Sequence, residues 1–249
     1  LDGGGTDTGL YTVSSGALLQ FNATRTLGAG SNVTGAGNVN VTNGALDVNA
    51  LYGIAATGTT SVTNNGTFNA NVPLSFANAF TLNTGGTLAS TGAVTLNGAF
   101  NWGGSSTLSG AGLLTTTGTT TVSGPNNSIQ KNWTNTGALG FGGGNDQMLF
   151  DAIGATLTNQ GTIDLGSSTS GTPIVHNSGP VASLVNTSTG VVSKGTAGLQ
   201  NLPGGITFTN DGTVNVTAGT LTNAGAPVSA GAIVSAANIN SGLLQFTPA

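Results

Sequence analysis

Residues 208–223 read FTNDGTVNVTAGTLTN, and the rest of the chain varies this stretch. Val214 and Val216 alternate with small polar residues, the period-two pattern of a half-buried strand. Phe208 and Leu221 carry the alternation into the flanking runs. Between the runs, Asn210-Asp211-Gly212 and Ala218-Gly219 tolerate the positive φ of a tight turn, so each strand ends after a few residues. The unit is strand, corner, strand, corner.

The unit recurs as Trp133-Thr-Asn135-Thr-Gly137, Leu157-Thr-Asn159-Gln-Gly161 and Phe208-Thr-Asn210-Asp-Gly212, with Leu184-Val-Asn186 as a variant. Successive Asn residues are 24, 27 and 24 positions apart. An earlier copy, Val62-Thr-Asn64-Asn-Gly66, precedes Asn135 by 71, close to three such steps. A second motif, Ser31-Asn-Val33-Thr-Gly35-Ala-Gly37, returns as Ser106-Thr-Leu108-Ser-Gly110-Ala-Gly112 after 75 residues. A propeller blade needs about 40 to 50 residues, whereas about 24 suits one coil of a parallel β-helix. The sequence predicts a single all-β solenoid domain over 1–249, on the order of ten coils and about 50 Å long at roughly 4.8 Å per coil. Asn64, Asn135, Asn159, Asn186 and Asn210 are then predicted to stack as an amide ladder along the axis.

Charged residues make up 4% of the chain, against about 25% in an average domain, and all seven acids are Asp. The outer face must therefore be covered by Thr, Ser and Asn. The net charge of −4, with Lys131, Lys194 and Arg25 as the only permanent cations, argues against nucleic-acid or anionic-membrane partners, which need clustered basic residues. Cysteine is absent, which excludes a disulfide scaffold and fits an extracellular bacterial protein. No apolar run of about 18 residues occurs, so no transmembrane helix and no membrane insertion is expected. The chain opens at Leu1 and reads as a mature or excised segment of a longer polypeptide.

Inward positions are predicted at Leu10, Leu18, Phe21, Leu27, Val33, Val39, Val41, Leu46 and Val48, then at Val62, Phe68, Leu74, Phe76, Phe80, Leu82, Leu88, Val94, Leu96, Phe100 and Trp102. Pro73 and Pro125 mark strand starts or bulged corners. The least regular stretches, near 124–151 and 166–180, are expected to project as loops; the second carries the one histidine, His176. Ser15-Gly16-Ala17-Leu18-Leu19-Gln20-Phe21 resembles Ser241-Gly242-Leu243-Leu244-Gln245-Phe246, so Leu18, Phe21, Leu243 and Phe246 are possible end-stacking residues.

Chemistry finds little purchase. Asp146 and Asp151 are the closest acidic pair beyond the amino terminus, and they read as solvated loop residues rather than the paired carboxylates of glycoside hydrolysis. Gly142-Gly143-Gly144-Asn145-Asp146 matches part of a calcium-binding repeat, but it occurs once. His176 has no ligand partner in sequence and reads as an exposed loop residue. Thr115 and Thr117 would point outward as in an ice-binding face, but the pair does not return every 24 residues. The sequons at Asn22, Asn32, Asn40, Asn65, Asn132, Asn186 and Asn215 are what a chain rich in Asn and Thr contains by composition. No catalytic, cofactor or metal site is expected.

The phrases at 212–221 (GTVNVTAGTL), 100–112 (FNWGGSSTLSGAG) and 157–165 (LTNQGTIDL) resemble the repeats of filamentous-haemagglutinin-like and autotransporter-type bacterial surface adhesins. The resemblance implies a right-handed parallel β-helix exported to the cell surface as a non-enzymatic stalk or adhesive rod. Its expected partners are a host or cell-surface glycan or protein, adjoining coils of a longer chain, or further copies of itself stacked coaxially into a filament.

Overall fold

The computed structural model describes residues 1–202, 204–224, 236–239 and 242–247. Its strands are short and pair in parallel, winding into a β-solenoid of about ten turns. Each turn lays down three strands, one per face. The first face is a nine-stranded sheet running from Gly5–Asp7 to Ile174–His176, followed by Leu199–Leu202, Gly219–Ala224 and Gly242–Thr247. The second begins with Leu10–Val13, Asn32–Gly35 and Leu51–Ile54, and continues as seven strands from Leu74–Phe76 to Ile206–Asn210. The third is an eleven-stranded sheet from Leu18–Phe21 to Ala236–Ile239. The ladder of the second face changes sheet just ahead of Leu74, where Pro73 has no N–H to donate.

The coil is shorter than the Asn spacing predicts. Turns are about 21 residues apart. Thr67 pairs with Thr87 and Thr87 with Thr107, steps of 20, and Thr119 pairs with Ala138, a step of 19. The steps of 24, 27 and 24 are real but local: Trp133 pairs with Leu157, Leu157 with Leu184 and Leu184 with Phe208. The intervals of 71 and 75 are not coil steps. Asn64 follows the third-face strand Thr59–Thr63, whereas Asn135 ends a second-face strand; Ser31–Val33 leads into the second face, and Ser106–Leu108 into the first. All three faces share one strand-and-corner grammar, so a motif match cannot distinguish a coil step from a change of face.

The predicted inward residues from Phe21 to Trp102 are buried, with two exceptions earlier in the chain: Leu10 and Leu18 are 76% and 58% exposed. The pleat is offset by one residue there, so that Val13 and Phe21 turn inward. Tyr52, Phe68, Phe76, Phe80 and Phe100 form a continuous run of ring contacts with centroids 5.1–6.1 Å apart. Trp102 and Trp133 extend it at 6.2 and 6.0 Å. Such edge and offset contacts add to the burial of the rings.

Corners from the third face to the first use paired left-handed residues: Asn64 and Asn65 (φ 52° and 61°), Thr84 and Gly85 (52° and 73°), Gly104 and Ser105 (63° and 58°). At Gly104 a Cβ would lie 2.0 Å from Asn83 Oδ1 and 2.3 Å from the Thr84 nitrogen, so no side chain fits. Thr84 is exposed and β-branched, and holds this conformation at a cost of about 1–2 kcal/mol. Thr84→Asn, which tolerates it, is expected to raise the thermal midpoint by roughly 2–4 °C. An unchanged or lower midpoint in a thermal melt would count against strain at this corner.

Candidate functional site

The Asn-x-Gly motif gains its meaning from the corner between the second and third faces. Asn135, Asn159, Asn186 and Asn210 point inward at the ends of their strands and are almost wholly buried. Asn135 Nδ2 donates to Asn159 Oδ1 at 2.9 Å, Asn159 to Asn186 at 2.8 Å and Asn186 to Asn210 at 2.7 Å. Each amide also donates to the carbonyl of its own corner glycine, as Asn159 does to Gly161 at 3.2 Å. The glycine is needed because coils meet closely: a Cβ at Gly161 would lie 2.1 Å from the Gly137 carbonyl. Asn186, a sequon residue, is thus an interior rung with no room for a glycan.

The row starts at Thr116, which no copy of the motif contains, and at the Trp133 ring. Trp133 Nε1 donates to Thr116 Oγ1 at 2.9 Å, and Thr116 donates to Asn135 Oδ1 at 3.1 Å. Asn64 is not a rung: it sits at an exposed corner on the far side of the third face.

The predicted loop at 124–151 is mostly solenoid. It contains the strands Asn127–Ile129, Trp133–Asn135, Ala138–Phe141 and Met148–Phe150, and Lys131, Trp133, Met148 and Phe150 are buried. Its longest connection between strands is 142–147, whose ends still bond the preceding coil through Gly142 N to the Val122 carbonyl and Gln147 N to the Gly124 carbonyl. Asp146 is 3% exposed, not solvated; its carboxylate accepts from Gly124 N at 2.6 Å and Gly144 N at 3.0 Å, closing the corner rather than facing out. Asp151 accepts from Ser128 Oγ and Asn177 Nδ2, both at 2.7 Å. The stretch 166–180 likewise includes the strand Ile174–His176, so His176 is a half-buried strand residue, with Nε2 3.1 Å from the Pro180 carbonyl oxygen. Among the described residues no group of three or more His, Cys, Asp or Glu comes together.

Two lysines lie inside the solenoid, which the sequence reading missed. Lys131 donates to Ser90 Oγ and, at 3.0 Å, to the Ser109 carbonyl. Burial pushes its ammonium down to about 8. Lys194 turns inward at the end of Val191–Lys194 and donates to the carbonyl and hydroxyl of Thr196; burial lowers its pKa as well. The signal was available in Lys131 itself: it stands two residues after inward Ile129, in the row that Ser90 occupies two coils earlier.

The coils lengthen at several corners, most of all at 165–173 between the third and first faces, and also at 151–155, 177–181 and 187–190. Ala138 pairs with Thr162 and Thr162 with Val191, steps of 24 and 29. The 165–173 corner borders, with Gly143 and the next coil, a basin of about 730 Å³ lined by Gly166–Gly171 and Thr196–Gln200. A second, apolar groove of about 530 Å³ lies where the second-face ladder breaks, between Leu10, Leu51, Val72 and Pro73. Thr115 stands in an outward row with Thr95, Thr134 and Thr158, and Thr134–Thr136 follows Thr115–Thr117 in register, a return hidden by its step of 19. The Thr117 and Thr136 hydroxyls are spent on Asn97 Oδ1 and the Thr116 carbonyl.

The two resembling end segments lie on different faces. Leu18–Phe21 opens the third face, with Phe21 buried against Tyr11, ring centroids 6.1 Å apart. Gly242–Thr247 belongs to the first face; the side chains of Leu243 and Phe246 lie outside the described residues. Among the described residues no helix is long and apolar enough to cross a membrane. No protein-family model, no curated protein and no solved structure matches this sequence.

Proposed function

We propose that this chain is a non-enzymatic spacer and adhesive rod, exported to the bacterial cell surface and akin to the filamentous-haemagglutinin-like and autotransporter-type adhesins. The longest connection of the array, the nine residues 165–173 beside the basin, carries the reading. Insertions in a repeat array map to loops on one face, often the binding face, while the other coils hold length and stiffness. Here the regular coils form the shaft and the basin of Gly166–Gly171 and Thr196–Gln200 is the adhesive patch. The axial backbone pairing and the filled core keep that patch at a fixed distance from whatever anchors the rod.

Beads coated with the purified chain are expected to be retained in a flow chamber on a mucin-coated surface. Leu199, 53% exposed at the rim, offers the variant: Leu199→Asp is expected to cut retention several-fold. Passage at background speed over both native and deglycosylated mucin would overturn the adhesive reading, as would release of reducing ends from the mucin glycans.

A filament subunit is the second reading, favoured by the tetrapeptide Leu-Leu-Gln-Phe shared by 18–21 and 243–246. Their different faces mean that stacking one on the other turns successive copies by one face about the axis. Sedimentation that stays monomeric across a concentration series would remove it.

A further inference from the structure

We propose that Asn43-Gly44 is a self-modification site, where the Gly44 backbone nitrogen attacks the Asn43 side chain and water converts the asparagine to aspartate and isoaspartate. A glycine after asparagine favours this ring closure, because no Cβ stands beside the attacking nitrogen. The chain has three such dipeptides, at Asn43, Asn65 and Asn97, each at a corner between strands. Closure needs a side-chain amide free to turn and a backbone N–H free to lose its proton. At two of the three the structure withholds one of these.

At Asn65 the nucleophile is tied: Gly66 N donates to the Thr63 carbonyl at 2.9 Å. At Asn97 the side chain is tied: Nδ2 donates to Ser75 Oγ and Oδ1 accepts from Thr117 Oγ1, both at 2.9 Å. At Asn43 neither is held. Its side chain is exposed and makes no hydrogen bond to a described residue, and neither does the Gly44 N–H. The reason lies in corner length. Two residues, Asn43 and Gly44, join Asn38–Thr42 to Ala45–Val48, whereas three join Thr59–Thr63 to Thr67–Ala70 and close the turn bond that holds Gly66. Asn43 and Asn65 share a left-handed φ, 58° and 61°, so backbone conformation does not separate them.

The reaction consumes only water. Gly44 N gives its proton to solvent and bonds to Asn43 Cγ; the Cγ–Nδ2 bond breaks, ammonia leaves, and a cyclic imide remains. Water then opens the imide at either carbonyl, one product being aspartate and the other isoaspartate, whose main chain is longer by one carbon. That longer corner does not fit the native one. Asn43 N donates to the Asn64 carbonyl at 3.3 Å, the Gly44 carbonyl accepts from Thr67 N at 2.8 Å, and a Cβ at Gly44 would lie 2.6 Å from the Ala23 carbonyl carbon. Coils on both sides grip this corner, so isoaspartate is expected to loosen it.

The test is peptide mapping by mass spectrometry of the full chain, kept at physiological temperature and mildly alkaline pH both folded and in denaturing urea, with isoaspartate methyltransferase as a second label. In the folded chain Asn43 is expected to convert roughly fivefold faster than Asn65 or Asn97, each of which must first break a hydrogen bond. In urea the three are expected to convert at similar rates. Ser75→Ala combined with Thr117→Val, both at exposed positions, frees the Asn97 amide and is expected to bring Asn97 up toward Asn43 while Asn43 is unchanged. Folded-state conversion at Asn43 no faster than at Asn65 or Asn97, the same order persisting in urea, or an Asn97 that stays slow in the double variant overturns the proposal.

Discussion

Asn159→Asp is expected to destabilise the solenoid by about 4 kcal/mol at neutral pH, although it replaces a single NH₂ group by oxygen. Asn159 Oδ1 accepts from Asn135, and either a carboxylate or an amide can do that. The other position is the difficulty. Nδ2 now donates to Asn186 Oδ1 at 2.8 Å, to the Gly161 carbonyl at 3.2 Å and to the Val191 carbonyl at 3.1 Å. A carboxylate oxygen there faces three acceptors in a site closed to water. Protonation would restore a donor toward Asn186, so the introduced carboxyl has a raised pKa and its penalty shrinks as pH falls through that value. Because coils are stabilised by their neighbours, the damage is also expected to split unfolding into two steps, with the coils on either side of Asn159 melting separately. Denaturant unfolding followed by circular dichroism, at neutral and mildly acidic pH, reads all three effects. A loss below about 1 kcal/mol would mean that the rung is not held as tightly as its distances imply.

Lys131→Met is expected to act in the opposite direction, stabilising by about 2 kcal/mol at pH 7 and by nothing near pH 10. Burial alone, with no carboxylate contributing, lowers the Lys131 ammonium from 10.5 to about 8. That difference corresponds to on the order of 3 kcal/mol against the charged form. Methionine avoids this term but leaves Ser90 Oγ and the Ser109 carbonyl short of a donor, which returns about 1 kcal/mol. The sign follows from proton counting: between about 8 and 10.5 the unfolded chain binds more protons at this site than the folded one, so native stability rises with pH there. Lys194 pushes the same way. Tyr52 and Tyr11 push the other way above pH 10, because burial raises both and the unfolded phenols ionise first. The wild-type thermal midpoint is therefore expected to climb from pH 8, peak near pH 10 and then fall, while Lys131→Met loses the climb that Lys131 contributes. A constant difference between the two proteins from pH 7 to 10 would show that Lys131 is not an uncompensated cation.

The strand grammar was legible because side-chain alternation and left-handed turn residues are local properties: Val214 and Val216 announce a strand without reference to any other coil. The ladder from Asn135 to Asn210 was legible for the same reason, since an Asn two positions before a glycine is a local pattern. The coil length was not. It depends on which face a motif occupies, and Asn64-Asn65-Gly66 looks like a rung while serving as a corner. The hidden cations show a related limit. Lys131 and Asp146 have the composition of a solvated loop, yet both point inward because a corner leaves unpaired backbone groups that a charged side chain can satisfy. The basin was only half legible: the region 166–180 was singled out by its composition, but 195–200, which supplies Thr196 and Gln200, follows the repeat too well to stand out.

The interior changes character at Trp133. Toward the amino terminus, from Tyr52 to Trp102, it is filled by touching rings; toward Asn210 the apolar core continues, largely aliphatic, with a row of amides threaded along one corner. These fillings respond differently to cold. The drive to keep rings out of water wanes on cooling, whereas a buried amide row has no such dependence on apolar hydration. The shaft is therefore not expected to respond to cold as one body: chilling should loosen the ring-filled coils before the coils beneath the basin, where the amide row adds a contribution that apolar hydration does not govern.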